Sequence, residues 1–105
     1  MSDFKKIYVL GAGAVGCFFG GMLARANKDV TLIARHDRAE SISRDSLYMD
    51  CQKFQETIQI KATSDLEALR GADLILLAVK SPDTKKVIHK ITPILPANAV
   101  ILSLQ

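Results

Sequence analysis

Tryptophan is absent from the 105 residues, which also hold only two cysteines and three prolines. No apolar run approaches the roughly 20 residues that a membrane-spanning helix needs. The cysteines, Cys17 and Cys51, are far apart and fit no zinc or redox motif, so we expect apolar filler side chains in a reducing compartment. The charged N-terminus leads straight into an apolar strand pattern without a separate signal-peptide core. We therefore expect a cytoplasmic protein with neither a membrane segment nor a metal site.

The composition is that of one globular domain spanning residues 1–105, with 49% hydrophobic and 24% charged residues. The formal net charge is +3, but the basic residues are scattered and aromatic residues are not interleaved with them. Nucleic acid is therefore a poorly supported partner. An anionic small ligand accounts for a modest positive charge equally well.

A glycine-rich turn between a strand pattern and a helix pattern is the most informative stretch. Residues 7–10 form a short apolar run of strand formers, and Gly11, Gly13 and Gly16 follow at G-x-G-x-x-G spacing. The next residues predict a helix with one apolar face. That face is formed by Val15, Phe18, Phe19, Met22, Leu23 and Ala26.

Each of the three glycines has a mechanical role in such a turn. Gly11 allows the tight bend, Gly13 lets the backbone approach a pyrophosphate, and Gly16 lets the helix lie close to the strand. The free N–H groups at the helix start favour an anion. The motif predicts a small-molecule dinucleotide as ligand, and the alternative is a tight strand–helix turn with no ligand.

The end of the second strand carries the signal for cofactor choice. Residues 30–34 predict this strand, and Arg35 follows it. An acidic residue here would bind the ribose 2′-hydroxyl of NAD, whereas arginine suits the 2′-phosphate of NADP. Asp37, two residues later, is an acidic residue that would suit NAD, so the pattern is mixed. The alternative is that Arg35 is a solvated residue at the strand end. The pattern favours NADP(H).

The remaining chain predicts further strands and helices. Residues 46–51 and 54–62 indicate a strand pair of uncertain register. A capping box over residues 64–67 begins a short helix. Residues 72–79 predict a central buried strand, and residues 99–104 another strand of the buried type.

This order predicts the fold class α/β: a Rossmann-type doubly wound, mainly parallel sheet with helices on both faces. Ligands of such sheets bind beyond the carboxyl ends of the strands. The residues expected at those ends are Gly11 to Gly16, Arg35, Lys80 and Gln105.

Four stretches, LGAGAVG, IAR, ADLILLAVKSPDT and VILSLQ, resemble the N-terminal NADP-binding domain of the ketopantoate reductase (2-dehydropantoate 2-reductase) family over essentially the whole chain. The resemblance implies that Arg35 holds the 2′-phosphate and that Lys80 contacts the cofactor near the nicotinamide, with a solvated Lys80 as the alternative. Gln105 ends the matching SLQ and is assigned to the same site. The residues implied around the pyrophosphate are Gly11, Ala12, Gly13, Ala14, Val15 and Gly16.

The resemblance also implies an oxidoreductase that reduces ketopantoate to pantoate with NADPH, in pantothenate and coenzyme A biosynthesis. In the family a helical C-terminal domain supplies the catalytic lysine and a glutamate. This chain lacks that domain, so no catalytic residue is assigned and the chain alone is expected to be inactive. The keto-acid substrate is expected only with that domain.

Three alternatives remain open from the sequence. The first is a reductase of another 2-keto or 3-hydroxy acid, and the second is a nucleotide-sensing domain without catalysis. The third is a short protein that binds a partner through its sheet edge. Residues 100–104 are expected to leave an apolar edge through which the chain self-associates.

Overall fold

The computed structural model describes residues 5–11, 13–51, 54–79 and 81–104. The strands are β1 (Ile7–Leu10), β2 (Val30–Ile33), β3 (Leu47–Cys51), β4 (Phe54–Ile58), β5 (Lys61–Thr63), β6 (Leu74–Leu77) and β7 (Val100–Ser103). The helices are α1 (Ala14–Arg25), α2 (His36–Asp45) and α3 (Ser81–Ile91), with a 3₁₀ helix at Leu66–Gly71. Among the described residues, no helix is both long and apolar enough to cross a membrane.

Five strands form a parallel sheet in the order β5-β2-β1-β6-β7. The central strand β1 pairs with β2 and β6 in register, so that Ile7 lies beside Val30 on one side and Leu74 on the other. Parallel neighbours need crossover connections, which α1 supplies between β1 and β2 and α3 supplies between β6 and β7. The predicted doubly wound parallel sheet is confirmed.

Alternate side chains of the central strands pack into two separate hydrophobic cores, one on each face of the sheet. Ile7 and Val9 of β1 pack on the face that α1 and the β3–β4 hairpin cover. Leu10 packs on the opposite face, together with Leu69 of the 3₁₀ helix and Ile91 of α3. The prediction of helices on both faces is therefore confirmed.

The predicted strand at residues 54–62 is wrong as a single element. Its first part, β4, pairs antiparallel with β3, with Leu47 opposite Ile58 and Cys51 opposite Phe54. Its last part, β5, pairs parallel with β2 at the edge of the main sheet. Ile60 lies between them and is buried, so the chain turns from one sheet to the other while keeping an apolar side chain in the core.

The capping interaction before the 3₁₀ helix also differs from the prediction. Asp65, not Ser64, is the N-cap, and its carboxylate accepts a hydrogen bond from Glu67 N at 3.0 Å. Thr63 Oγ1 accepts one from Asp65 N at 3.1 Å, which fixes the approach to the helix. The shift by one residue arises because Asp65 reaches the second N–H of a tighter 3₁₀ turn.

Helix α1 packs on the sheet mainly through its glycines, and of its large apolar residues Leu23 packs against the core. Gly16, Gly20 and Gly21 are buried, whereas Phe18 and Phe19 are 46% and 41% exposed. A Cβ on Gly21 would lie 2.3 Å from Met49 Sδ. Most of the apolar stripe predicted for this helix therefore faces outward, with Leu23 as the exception, because close approach to the sheet requires the residues without side chains.

The predicted buried strand near the C-terminus is an edge strand. β7 pairs with β6 on one side, and its side chains are exposed, with Leu102 at 53%. The apolar composition had suggested burial on both faces, but within the described chain no element covers this strand. The exposed apolar edge expected from the sequence is thus present, and self-association through it stays a prediction.

Replacing Gly16 with alanine should destabilise the fold strongly. The new Cβ would lie 1.9 Å from the carbonyl oxygen of Gly11, and a backbone atom cannot move aside as a side-chain end can. We expect Gly16→Ala to lower the free energy of unfolding by about 3 kcal/mol or more, measured by urea denaturation. The matched control is Gly71→Ala, whose Cβ would meet only Lys6 Cδ at 3.9 Å and should change stability by less than about 1 kcal/mol. Equal effects of the two substitutions would contradict this packing.

Asp73 ties the start of β1 to the start of β6. Its Oδ2 accepts hydrogen bonds from the backbone N–H groups of Lys6 and Lys5, each at 2.9 Å. These backbone bonds, Lys6 first, hold the pKa of the Asp73 carboxyl below its usual value. A lowered pKa in the folded state adds stability above the unfolded pKa, and this stability is lost as the pH falls through the folded value.

Asp73→Asn should therefore reduce the loss of folding stability that the protein shows between neutral and acid pH. We expect the variant to unfold more easily than the wild type at neutral pH, with the difference shrinking as the pH falls below about 4. Thermal unfolding followed by circular dichroism between acid and neutral pH would measure this. A difference that stays constant over that range would show that the charge of Asp73 is not involved.

Candidate functional site

A cleft of about 860 Å³ opens at the carboxyl ends of β1, β2 and β6. Its floor is apolar and comes from the strand ends and the residues just after them. These are Leu10, Gly11, Ile33, Ala34, Ala78 and Val79. Since parallel strands end at the same edge of the sheet, the loops that follow them meet there.

The glycine turn forms one wall of this cleft. Gly11 has φ +108°, a conformation that strongly favours glycine, and its N–H donates to Ile33 O at 2.9 Å. Gly13 is the N-cap of α1, and a Cβ built on it would have no heavy atom within 4 Å. Gly13 thus borders open space in the cleft, while Gly16 is closed off by backbone.

The start of α1 offers unused N–H groups beside this open space. No side chain caps the helix, and its first turn contains no acidic residue. Helix N-termini carry a partial positive charge, so these N–H groups suit an anion. The open space at Gly13 and the donors of the first turn together fit a pyrophosphate group.

The end of β2 contributes the positive wall of the cleft. Arg35 is the N-cap of α2, in extended conformation, and is exposed. Arg38 lies one turn further along α2, and its Nη2 donates to Cys17 Sγ of α1 at 3.6 Å. Both arginines line the cleft.

The electrostatic character of the cleft is cationic. Its described lining includes four basic side chains, Arg35, Arg38, Lys86 and Lys90, against one carboxylate, Asp37. The two lysines come from α3, on the side opposite α2. Basic residues that are far apart in the sequence therefore come together at this cleft. Their positive charge favours an anionic ligand.

Of the predicted site residues, Gly11, Gly13 and Arg35 line this cleft. Ala14, Val15 and Gly16 follow in the first turn of α1, at the same edge of the sheet, but are not among its lining residues. Their part in binding a cofactor stays a prediction. Ala12, Lys80 and Gln105 fall outside the described residues. Their described neighbours Val79 and Leu104 lie at the carboxyl ends of β6 and β7, and Leu104 N donates to Leu77 O at 2.9 Å.

Sequence reasoning missed the other basic residues of the cleft. Arg38 stands three positions after Arg35, a spacing that places both on one side of a helix and could have identified it. Lys86 and Lys90 are four residues apart on α3 and likewise share a face. Without the sheet order, nothing in the sequence indicated that this face turns toward the end of β2. In the described part of the chain, no three His, Cys, Asp or Glu side chains group as metal ligands would.

A second cleft, of about 760 Å³, lies at the opposite end of β2. It is bordered by Asn27 and Lys28 after α1 and by Arg44 near the end of α2. Both helices direct their C-termini to this side, where the partial charge is negative and backbone donors are lacking. The glycine turn is also remote from it, so the first cleft is the better candidate for a phosphate-bearing ligand.

Comparison with known proteins agrees with this architecture. The sequence profile of the ketopantoate reductase PanE/ApbA family matches residues 7–105. The chain belongs to the ketopantoate reductase family. The match begins at the first residue of β1 and includes the glycine turn, the end of β2 and β7.

Individual relatives give the same result. A 2-dehydropantoate 2-reductase of Pyrococcus horikoshii is 38% identical over 100 residues, covering 95% of this chain and 32% of the relative. A PanE/ApbA family ketopantoate reductase structure from Ralstonia eutropha JMP134 superposes with a TM-score of 0.89 at 46% identity, covering 95% of this chain and 34% of that one. This chain thus spans about a third of the length of the proteins it matches.

A related oxidoreductase shares the fold as well. The structure of a glycerol-3-phosphate dehydrogenase from Coxiella burnetii has a TM-score of 0.80 at 28% identity, covering 94% of this chain and 31% of that one. The architecture therefore extends beyond one substrate class.

Proposed function

We propose that this chain is the NADPH-binding part of a 2-dehydropantoate 2-reductase. Such an enzyme reduces the ketone of ketopantoate to the alcohol of pantoate with a hydride and a proton. NADPH, when bound, supplies the hydride, and the residues described here bind and orient it. The observation that carries the proposal is the cationic cleft at the carboxyl edge of the sheet, bounded by the glycine turn and Arg35 in a chain of this family.

The pyrophosphate is proposed to lie against Gly13 and the start of α1. Gly13 leaves open space where any side chain would project, and the first turn of α1 presents N–H donors without a capping side chain. The tight packing of Gly16 on Gly11 keeps these donors close to the strand ends. A phosphate placed there would take hydrogen bonds from groups that need no rearrangement.

Arg35 is proposed to bind the adenosine 2′-phosphate that distinguishes NADPH from NADH. It lies two residues after the end of β2, at the point where the chain turns into α2. Its planar guanidinium can donate two parallel hydrogen bonds to phosphate oxygens. Asp37 lies in the same cleft and would favour a free ribose hydroxyl, so the cofactor choice depends on the balance between these groups.

A second candidate function is a dehydrogenase with the same cofactor but another substrate. The similarity to the glycerol-3-phosphate dehydrogenase structure supports it, because the shared part is the domain proposed here to bind the cofactor. None of the described residues is assigned to a substrate. Because this chain alone is expected to be inactive, the assay needs a separately expressed C-terminal domain to be added. Following NADPH oxidation by ketopantoate, and NADP⁺ reduction by glycerol 3-phosphate, would then separate the two candidates.

The test of the proposal is the cofactor preference of the chain and its loss in Arg35→Ala. A charge-assisted hydrogen bond contributes about 1.5–3 kcal/mol, which corresponds to roughly tenfold to a hundredfold in affinity. We expect calorimetry to give tighter binding of NADPH than of NADH, and Arg35→Ala to weaken NADPH by that factor while NADH changes little.

Lys28→Ala is the matched control, since Lys28 is exposed just before the opposite end of β2. It removes the same charge and should leave both affinities nearly unchanged. Equal loss of NADPH and NADH binding in Arg35→Ala would refute the assignment of Arg35. Absence of any dinucleotide binding by the wild-type chain would refute the cofactor site itself.

A further inference from the structure

We infer that Arg38 is a second determinant of NADPH specificity, which holds the 2′-phosphate together with Arg35. The inference rests on the proposed function and extends it to a residue that the glycine motif and the strand-end rule do not indicate. Five observations support it: the ion pairs of the arginines, the position of Arg38, its contact with α1, the start of α2, and the charge of Asp37.

The five arginines of the chain divide into two groups. Arg25, Arg44 and Arg70 each form an ion pair with a carboxylate, namely that of Glu56, Asp45 and Glu67. Arg35 and Arg38 have no carboxylate within ion-pair distance among the described residues. Both of these line the cleft at the carboxyl edge of the sheet, so the two guanidinium groups without a carboxylate partner in the described chain lie where an anionic ligand would bind.

The position of Arg38 allows it to act with Arg35 on one group. Arg38 is the third residue of α2, whose N-cap is Arg35, and the Ala39 N–H donates to Arg35 O at 2.8 Å. The two side chains therefore originate within a single helical turn. Residues three apart on a helix are neighbours on its surface, so both guanidinium groups can reach the same phosphate.

A contact with α1 holds the Arg38 side chain over the cleft. Its Nη2 donates to Cys17 Sγ at 3.6 Å, and Cys17 lies one turn into α1, where its N–H donates to Gly13 O at 2.9 Å. Sulfur is a weak acceptor, and this contact takes one of the five N–H donors of the guanidinium, so it positions Arg38 and leaves the other four for a ligand. Arg38 thereby bridges the two helices that start at this edge.

The start of α2 adds donors at the same place. No side-chain hydrogen bond caps this helix, so the N–H groups of its first turn remain available beside the two arginines. Phosphate bound there would meet backbone donors and two guanidinium groups at once.

The charge of Asp37 is the reason that a second arginine is needed for a preference for NADPH. It lies between the two arginines in sequence, lines the same cleft and is exposed. Its negative charge lowers the positive potential that Arg35 gives to this part of the cleft, so Arg35 with Asp37 attracts a phosphate dianion less strongly than Arg35 would by itself. With Arg38 included, this part of the cleft is positive, and NADPH is preferred over NADH.

The experiment compares Arg38→Ala and Arg38→Lys with the wild type by calorimetry against NADPH and NADH. We expect Arg38→Ala to weaken NADPH by about tenfold or more and NADH by less than about twofold. Arg38→Lys should be intermediate, because it keeps the charge and loses the planar fork. Arg44→Ala is the matched control on the same helix, and since Arg44 lies at the other cleft it should change neither affinity.

The outcomes separate this inference from the proposed function. If the wild type prefers NADPH and Arg35→Ala loses the preference while Arg38→Ala keeps it, only the role of Arg38 is overturned. If Arg38→Ala weakens both cofactors equally, Arg38 acts on the shared part of the dinucleotide and the inference is wrong. A wild-type chain that binds NADPH no more tightly than NADH overturns both. Thermal unfolding of each variant verifies that exposed Arg38 can be replaced without loss of the fold.

Discussion

The contact between Gly16 and Gly11 is the constraint on which the rest of the structure depends. A methyl group at Gly16 would lie 1.9 Å from the Gly11 carbonyl oxygen, so α1 can approach β1 this closely only because the side chain is absent. The same approach continues along the helix, where a Cβ on Gly20 would lie 2.8 Å from Leu32 Cδ2. Close packing therefore fixes α1 over the sheet and places its N-terminus at the carboxyl ends of the strands.

One loop thus serves both the fold and the proposed site. Gly11 and Gly16 are constrained by neighbouring backbone, whereas Gly13 between them borders open space. A turn selected only for folding would have no need of a glycine at a position with room for a side chain. This difference within one motif supports the view that Gly13 is kept clear for a ligand, and the uncapped start of α1 beside it points to an anion.

Features that depend on local sequence pattern were predicted from the sequence. Features that depend on the order of the strands in the sheet were not. The β1–turn–α1 unit, the buried strand β6 and the position of Arg35 followed from apolar runs and glycine spacing. The outward face of Phe18 and Phe19 did not, because periodicity reveals a stripe but not whether smaller residues pack in its place. The division between β4 and β5 was missed because β4 pairs with its neighbour β3, whereas β5 pairs with β2, which is distant in the sequence. Arg38 and Lys86 joined the site only once α2 and α3 were placed on either side of one edge.

The central claim is that a dinucleotide lies across the carboxyl edge of the sheet with its pyrophosphate against Gly13. Titrating the ¹⁵N-labelled chain with NADP⁺ and following amide chemical shifts by NMR tests it most directly. We expect the largest shift changes at Gly11, at Gly13 and in the first turns of α1 and α2. Changes confined to residues 26–29 and 59–61, at the opposite end of β2, would contradict it.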